Sequence, residues 1–222
     1  MSFDHVEMPS LPELTDNTTS TGRTYVTPEG NKYPSITTVL KVLSEDSINE
    51  WKDRVGHDVA KRIVTQAGRR GTAVHDLAEK YLNNDPDWKL GHMPVNLFTF
   101  SHMKKVLDER VNNVWAQEVP LYSDRFEIAG RVDCIAEFDG ELSIIDFKTA
   151  RKTKREAWIH NYKLQASFYA AAFFERTGIV IKKGVVLISP DGGDPQVFIT
   201  NTHQHLPTLM ETRREYRRQY GL

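Results

Sequence analysis

The chain has 222 residues, enough to bury a substantial core without covalent staples. Its single cysteine, Cys134, excludes an internal disulfide and any centre that needs several thiolates, an iron–sulfur cluster among them. Twenty-nine Lys and Arg against thirty Asp and Glu leave a formal charge of −1, so no global positive field announces a nucleic-acid partner, and any metal must be held by carboxylates and histidines.

No stretch approaches the roughly 20 apolar residues of a membrane span. Met1 to Leu14 carries Glu7 and Glu13 but no Lys or Arg, so neither a secretory signal nor an arginine-rich transit peptide is expected, and the cytoplasm is the default address. Residues 1–22 are rich in Pro, Ser and Thr and read as an extended or disordered leader, with residues 23–222 as a single domain. Arg23–Val26, the turn-forming Thr27–Asn31 and Lys32–Thr37 suggest a short hairpin acting as lid or brace, followed by a helix around Val39 to Leu43. Ser47-Ile-Asn-Glu50 has capping-box spacing, and the helical pattern after it runs until Gly68 interrupts it. Thr72 then caps a second helix whose apolar residues Val74, Leu77, Ala78, Tyr81 and Leu82 form one buried stripe. A further amphipathic stretch covers about Leu97 to Val111.

From Val114 the period changes to that of strands: Val114–Leu121, Phe126–Phe138 with a kink at Gly130, and Glu141–Thr149. A helix over Arg155 to Thr177 stops at Gly178, two strands follow at Gly184–Ser189 and Gln196–Thr200, and a basic helix ends the chain. The expected class is α+β or mixed α/β, with a central mixed, mainly antiparallel sheet flanked by helices.

The chemistry concentrates in one hairpin. Asp139-Gly140 is a favoured two-residue turn; closing there sets Phe138 opposite Glu141 and Asp133 opposite Asp146. Opposed side chains share a face about 5 Å apart, and Lys148 emerges beside them. Two like charges across a ladder demand a compensating cation, either that lysine or a bound divalent ion. Val132, Cys134, Ile145 and Phe147 fall on the opposite, core face. Asp and Lys are poor strand formers, so an Ile-Ile-Asp-Phe-Lys run sets function against local preference.

Gly130-Arg-Val-Asp133, Ile145-Asp-Phe-Lys148-Thr149 and Gln165-x-x-x-Tyr169, together with Arg70-Gly-Thr-x-x-His75 upstream, resemble the PD-(D/E)xK nuclease superfamily and, within it, the RecB-type branch and a group of exonucleases from mitochondria and phages. The proline of the superfamily's name is Val132 here, and the acidic N-terminus favours a bacterial or viral member. The resemblance implies a restriction-endonuclease-like core and a metal-dependent deoxyribonuclease, an exonuclease on single-stranded DNA or free ends in replication, recombination or repair. A structure-specific endonuclease and a catalytically silent DNA-binding subunit are the alternatives.

It also implies a site: Asp133, Asp146 and Lys148 as catalytic residues, and His75, Asp133, Asp146 and the Phe147 carbonyl as ligands of Mg²⁺ or Mn²⁺. Lys148 would polarise the attacking water or stabilise the pentacovalent phosphate. Glu118 is a candidate for reaching the metal through water, a solvated strand carboxylate being the equal alternative. Arg70, Arg151, Lys152 and Lys154 are candidate phosphate contacts, and Gln165 and Tyr169, four apart on one helical face, would buttress the hairpin and touch DNA.

Overall fold

The computed structural model describes residues 2–221. A small antiparallel sheet, β1 (Thr15–Thr19), β2 (Gly22–Val26) and β3 (Lys32–Pro34), leads into a single helical turn α1 (Ile36–Val39). Helices α2 (Glu45–Val55), α3 (His57–Leu82) and α4 (Pro94–Arg110) come next. The main sheet follows as β4 (Val111–Ser123), β5 (Ile128–Phe138) and β6 (Glu141–Ala150), a crossover through α5 (His160–Thr177), then β7 (Lys183–Pro190), β8 (Gln196–Asn201) and a closing α6 (Leu206–Tyr220). Its order is β4-β5-β6-β7-β8, antiparallel throughout except for the parallel β6–β7 pair, as a helical crossover requires. The result is the mixed, mainly antiparallel α/β architecture expected. Among the described residues no helix is long and apolar enough to cross a membrane.

Both sheet faces are covered. Val74, Leu77, Phe100 and Leu107 from α3 and α4 pack on Cys134, Ile145 and Phe147. On the other side Phe168 and Phe173 of α5, with Leu209 and Tyr216 of α6, pack on Ile135 and Ile144. Each such fully buried side chain contributes about 1.5–3 kcal/mol. Val132 departs from the alternation that would put it with Cys134: it joins the α5 side, beyond the last β5–β6 pair at Cys134↔Ile145.

The β5–β6 turn forms as its sequence dictates. Asp139 and Gly140 both have positive φ, 53° and 74°, and pairing runs from Phe138↔Glu141 to Cys134↔Ile145. Arg110 pins the bend with two hydrogen bonds to the Asp139 carboxylate, at 2.9 and 2.5 Å.

Two further expectations are corrected. The first long helix breaks at Gly56 (φ 87°) and not at Gly68; α3 then runs unbroken through Gly68, Gly71 and Thr72. A helical glycine costs only about 1 kcal/mol, and the buried stripe beyond Gly71 repays it. The helix expected from Arg155 starts at His160, preceded by a 3₁₀ turn at Glu156–Trp158. Within the segment read as an extended or disordered leader, Thr15–Thr19 is an exposed strand, Phe3 is buried, and Asp4 and Val6 exchange backbone hydrogen bonds with Val114. Those bonds occupy the otherwise open edge of β4 at Val114.

Candidate metal centre

Register carries three acids to one place. Glu118 of β4, Asp133 of β5 and Asp146 of β6 occupy neighbouring strands; the β4–β5 pairing skips Asp133, and the β5–β6 ladder ends at Cys134↔Ile145, one pair short of the expected Asp133–Asp146 pair. Glu118 adopts φ 48°, the left-handed region a β-strand residue avoids, and its carbonyl accepts from the Arg131 guanidinium. Toward β6, the Asp133 carboxylate takes the place of a ladder partner: Oδ2 accepts the Phe147 N–H at 2.8 Å. The Phe147 carbonyl is thereby left to the His75 ring on α3, whose Nε2 donates to it at 2.7 Å.

His75 Nδ1 faces Asp133 Oδ1 at 3.6 Å and Glu118 Oε1 at 3.7 Å. Burial disfavours the imidazolium, but the two carboxylates outweigh it and push the pKa up to about 9. Asp146 is 1% exposed; Oδ1 accepts from Lys148 Nζ at 2.5 Å, while Oδ2 is buried with no hydrogen-bond partner. Burial, helped by Asp133, holds this carboxyl above the usual range against the pull of Lys148. Lys148 keeps its charge because Asp146 and Asp133 more than offset its own burial, and its ammonium lies 5.2 Å from the Tyr162 ring centroid.

A buried carboxylate oxygen without a donor is costly, and it fits a site completed by a cation. The tightest candidate ligand set is His75, Glu118 and Asp133, whose ligating atoms lie within 4.8 Å of one another. Glu118, expected at one remove, thus stands as near as the expected ligands, and Asp146 lies outside that trio with Oδ1 drawn to Lys148. Carboxylate and imidazole donors of this kind suit a divalent cation. Cys134 is buried in the α3-side core with its thiol pushed up by burial.

The site opens into a cleft of about 570 Å³ lined by Arg23, Gly71, Thr72, His75, Glu79 and Glu118, among others. Arg23, at the start of the hairpin read as a lid or brace, lies on β2, and its spacing to the motifs carries no signal, since only the packing of the small sheet brings it here. Arg70 is committed to Asp191 at 2.5 Å, a partner 121 positions away. Arg151 and Lys152 are exposed on the loop after β6, and Lys154 is anchored there by hydrogen bonds between its backbone and Gln196. Gln165 and Tyr169 are 7% and 2% exposed and hydrogen-bonded to each other at 3.4 Å. A Cβ on Gly130 would sit 3.0 Å from the Tyr169 hydroxyl, so this pair packs beneath β5 at Gly130.

The profile of the PD-(D/E)XK nuclease superfamily matches residues 50–217. Mitochondrial genome maintenance exonuclease 1 of Homo sapiens is 26% identical over 179 residues, 74% of this chain and 51% of that protein. Its Mus musculus counterpart is 23% identical over 176 residues, 74% and 52% respectively. The chain therefore spans about half the length of the curated relatives it matches. Among solved structures, a putative exonuclease from Eubacterium rectale aligns over 66% of this chain and 68% of that one, with 10% identity and a TM-score of 0.39. With three quarters of its length inside the matched profile, the chain belongs to the PD-(D/E)XK nuclease superfamily.

Proposed function

We propose that this chain is a divalent-metal-dependent DNA exonuclease that hydrolyses phosphodiester bonds in single strands or at strand ends, in replication, recombination or repair, with Mg²⁺ or Mn²⁺ as cofactor. The observation that carries the reading is the unpartnered Oδ2 of Asp146, buried beside a second carboxylate, an ammonium and an imidazole. Asp133, Asp146, His75 and the Phe147 carbonyl would hold the ion, with Glu118 close enough to join them directly. The ion, when bound, supplies a Lewis acid for the phosphate and a water that ionises near neutral pH.

The chain's own groups do the rest. Lys148, held at Asp146, presents positive charge where the phosphorane's charge develops, or orients the attacking water. His75, bonded to the Phe147 carbonyl, fixes the distance between α3 and the β6 edge. Arg151, Lys152 and Lys154 give the emerging strand a cationic bank directly after the catalytic β6, and Arg70 would serve once released from Asp191. Gln165 and Tyr169 keep Gly130 and the hairpin in register from beneath. The relatives' names support exonuclease over endonuclease action.

The test is digestion of end-labelled single strands, linear duplexes and closed circular single strands with and without Mn²⁺. Metal-dependent laddering of the linear single strand is expected. Cutting of the circle would replace the exonuclease reading with an endonuclease, and metal-independent inertness with retained DNA binding would leave a silent subunit.

A further inference from the structure

A hollow of about 770 Å³ shares no residue with the metal centre. It lies between the second half of α5, the connection after it and the start of α6. Its floor is apolar: Phe126, Ala170, Phe174, Ile181, Leu206 and Met210. Phe174 and, beside it, Val180 are each 49% exposed, so large apolar side chains stand in water within one concave surface.

The rim has the opposite character. Arg125 in the β4–β5 turn, His203 before α6 and Arg214 on α6 all line it and are exposed, and among the described residues none of the three makes an ion pair. The contrast with their neighbours is informative, because Arg213 and Arg217 are both taken by Glu127. Glu175, the one acid in the lining, is spoken for: its oxygens accept from Ser123 Oγ at 2.5 Å and the Asp124 N–H at 3.0 Å. The first residues of α6, Leu206 and Pro207, form part of the wall, so the positive end of a fifteen-residue helix adds to the field.

From this we infer that the groove is a docking site for an acidic peptide segment of a partner protein, in which carboxylates flank a bulky apolar side chain. The apolar residue fills the floor and the carboxylates meet the unpaired arginines and His203, an arrangement in which burial gives affinity and charge gives orientation. A nucleic-acid strand fits less well: of the groove's two phenylalanine rings only Phe174 is exposed, Phe126 being buried, and the other floor residues are aliphatic, so there is no row of flat faces for successive bases. A second copy of the chain fits less well too, since a two-fold contact on this face would set cationic rim against cationic rim. The inference does not depend on the nuclease reading.

The experiment is fluorescence anisotropy of a labelled octapeptide, a run of aspartates ending in Leu-Phe, against the full chain at low salt. Saturable binding is expected, weakened at least about tenfold by the double variant Arg125→Ala/Arg214→Ala and, independently, by Phe174→Asp, and weakened by added salt. Cleavage of a short oligonucleotide stays unchanged in these variants. The inference is overturned if the peptide does not bind, or if a version with lysine at every aspartate binds equally well. It is also overturned if the arginine variant loses affinity for oligo-dT and not for the peptide, or if the free chain dimerises in sedimentation and Phe174→Asp abolishes the dimer.

Discussion

Replacing Asp146 with Asn changes one charge and almost no volume, which makes it the cleanest perturbation of the site. Two opposing groups of interactions are lost. The 2.5 Å ion pair to Lys148 goes, but so do the desolvation of a carboxylate only 1% exposed and its repulsion by Asp133. Lys148 retains Asp133 as a counter-charge and keeps a fifth of its side chain in solvent, so it is not left as a naked buried ion. The net change in stability should therefore stay within about 1–2 kcal/mol, well short of the 3–5 kcal/mol typical when a buried pair is broken and one charge stranded. Turnover should fall at least about a thousandfold, roughly 4 kcal/mol of transition-state stabilisation, since the position that anchors the cation is neutralised. Thermal melting by circular dichroism, alongside turnover of a labelled single strand at saturating Mg²⁺ or Mn²⁺, reads both quantities. A variant that melts with the wild type and keeps more than a tenth of its activity would refute the assignment of Asp146 as an anchor. Global unfolding would refute the charge balance.

The metal-free His75 pKa, raised from 6.5 to about 9, makes two predictions of definite sign. Its imidazolium stabilises the metal-free fold fully below pH 6.5, and this contribution is lost as pH rises through 9. Over the same window Mn²⁺ affinity should climb about tenfold per pH unit as one proton is displaced, and His75→Asn should flatten the slope; an equally steep slope in the variant contradicts the pairing. Gly68→Ala should stabilise the chain by about 0.5–1 kcal/mol in urea denaturation, because the position is mid-helix with nothing within 4 Å of an added Cβ, whereas a loss would restore a break there. Gly130→Ala should cost about 1–3 kcal/mol, since its Cβ would press on Tyr169 and Ile36, both buried. Tyr169→Phe should not relieve it, because the ring carbon Cε1 stands as close as the hydroxyl, and full rescue by that change would count against the packing described.

The sequence speaks most clearly where local chemistry sets long-range geometry. Asp139-Gly140 admits one tight turn, and the turn fixes the register as far as Cys134↔Ile145, one pair short of Asp133 and Asp146. The periodic stripe on α3 likewise places His75 at the edge of a buried face. Other features depend on partners far along the chain and leave no local trace. Nothing near Glu118 announces its left-handed backbone, which Arg131 and the packed sheet sustain. Arg70 reads as a free phosphate clamp until Asp191 is found beside it. Propensity alone does not distinguish Gly56 from Gly68 as the point where the helix breaks. What distinguishes them is that the stripe beyond Gly71 is buried, whereas α2 buries no residue at all.

The claim on which the rest stands is that the acids, the imidazole and the β6 carbonyl form one cation site. Electron paramagnetic resonance of free Mn²⁺, titrated into the chain at pH 8, counts bound ions directly and requires no substrate. Saturable binding is expected for the wild type, lost in Asp133→Asn and in Asp146→Asn but intact in Lys148→Ala. A wild-type chain that leaves all the manganese free, or binding indifferent to both aspartates, would contradict it.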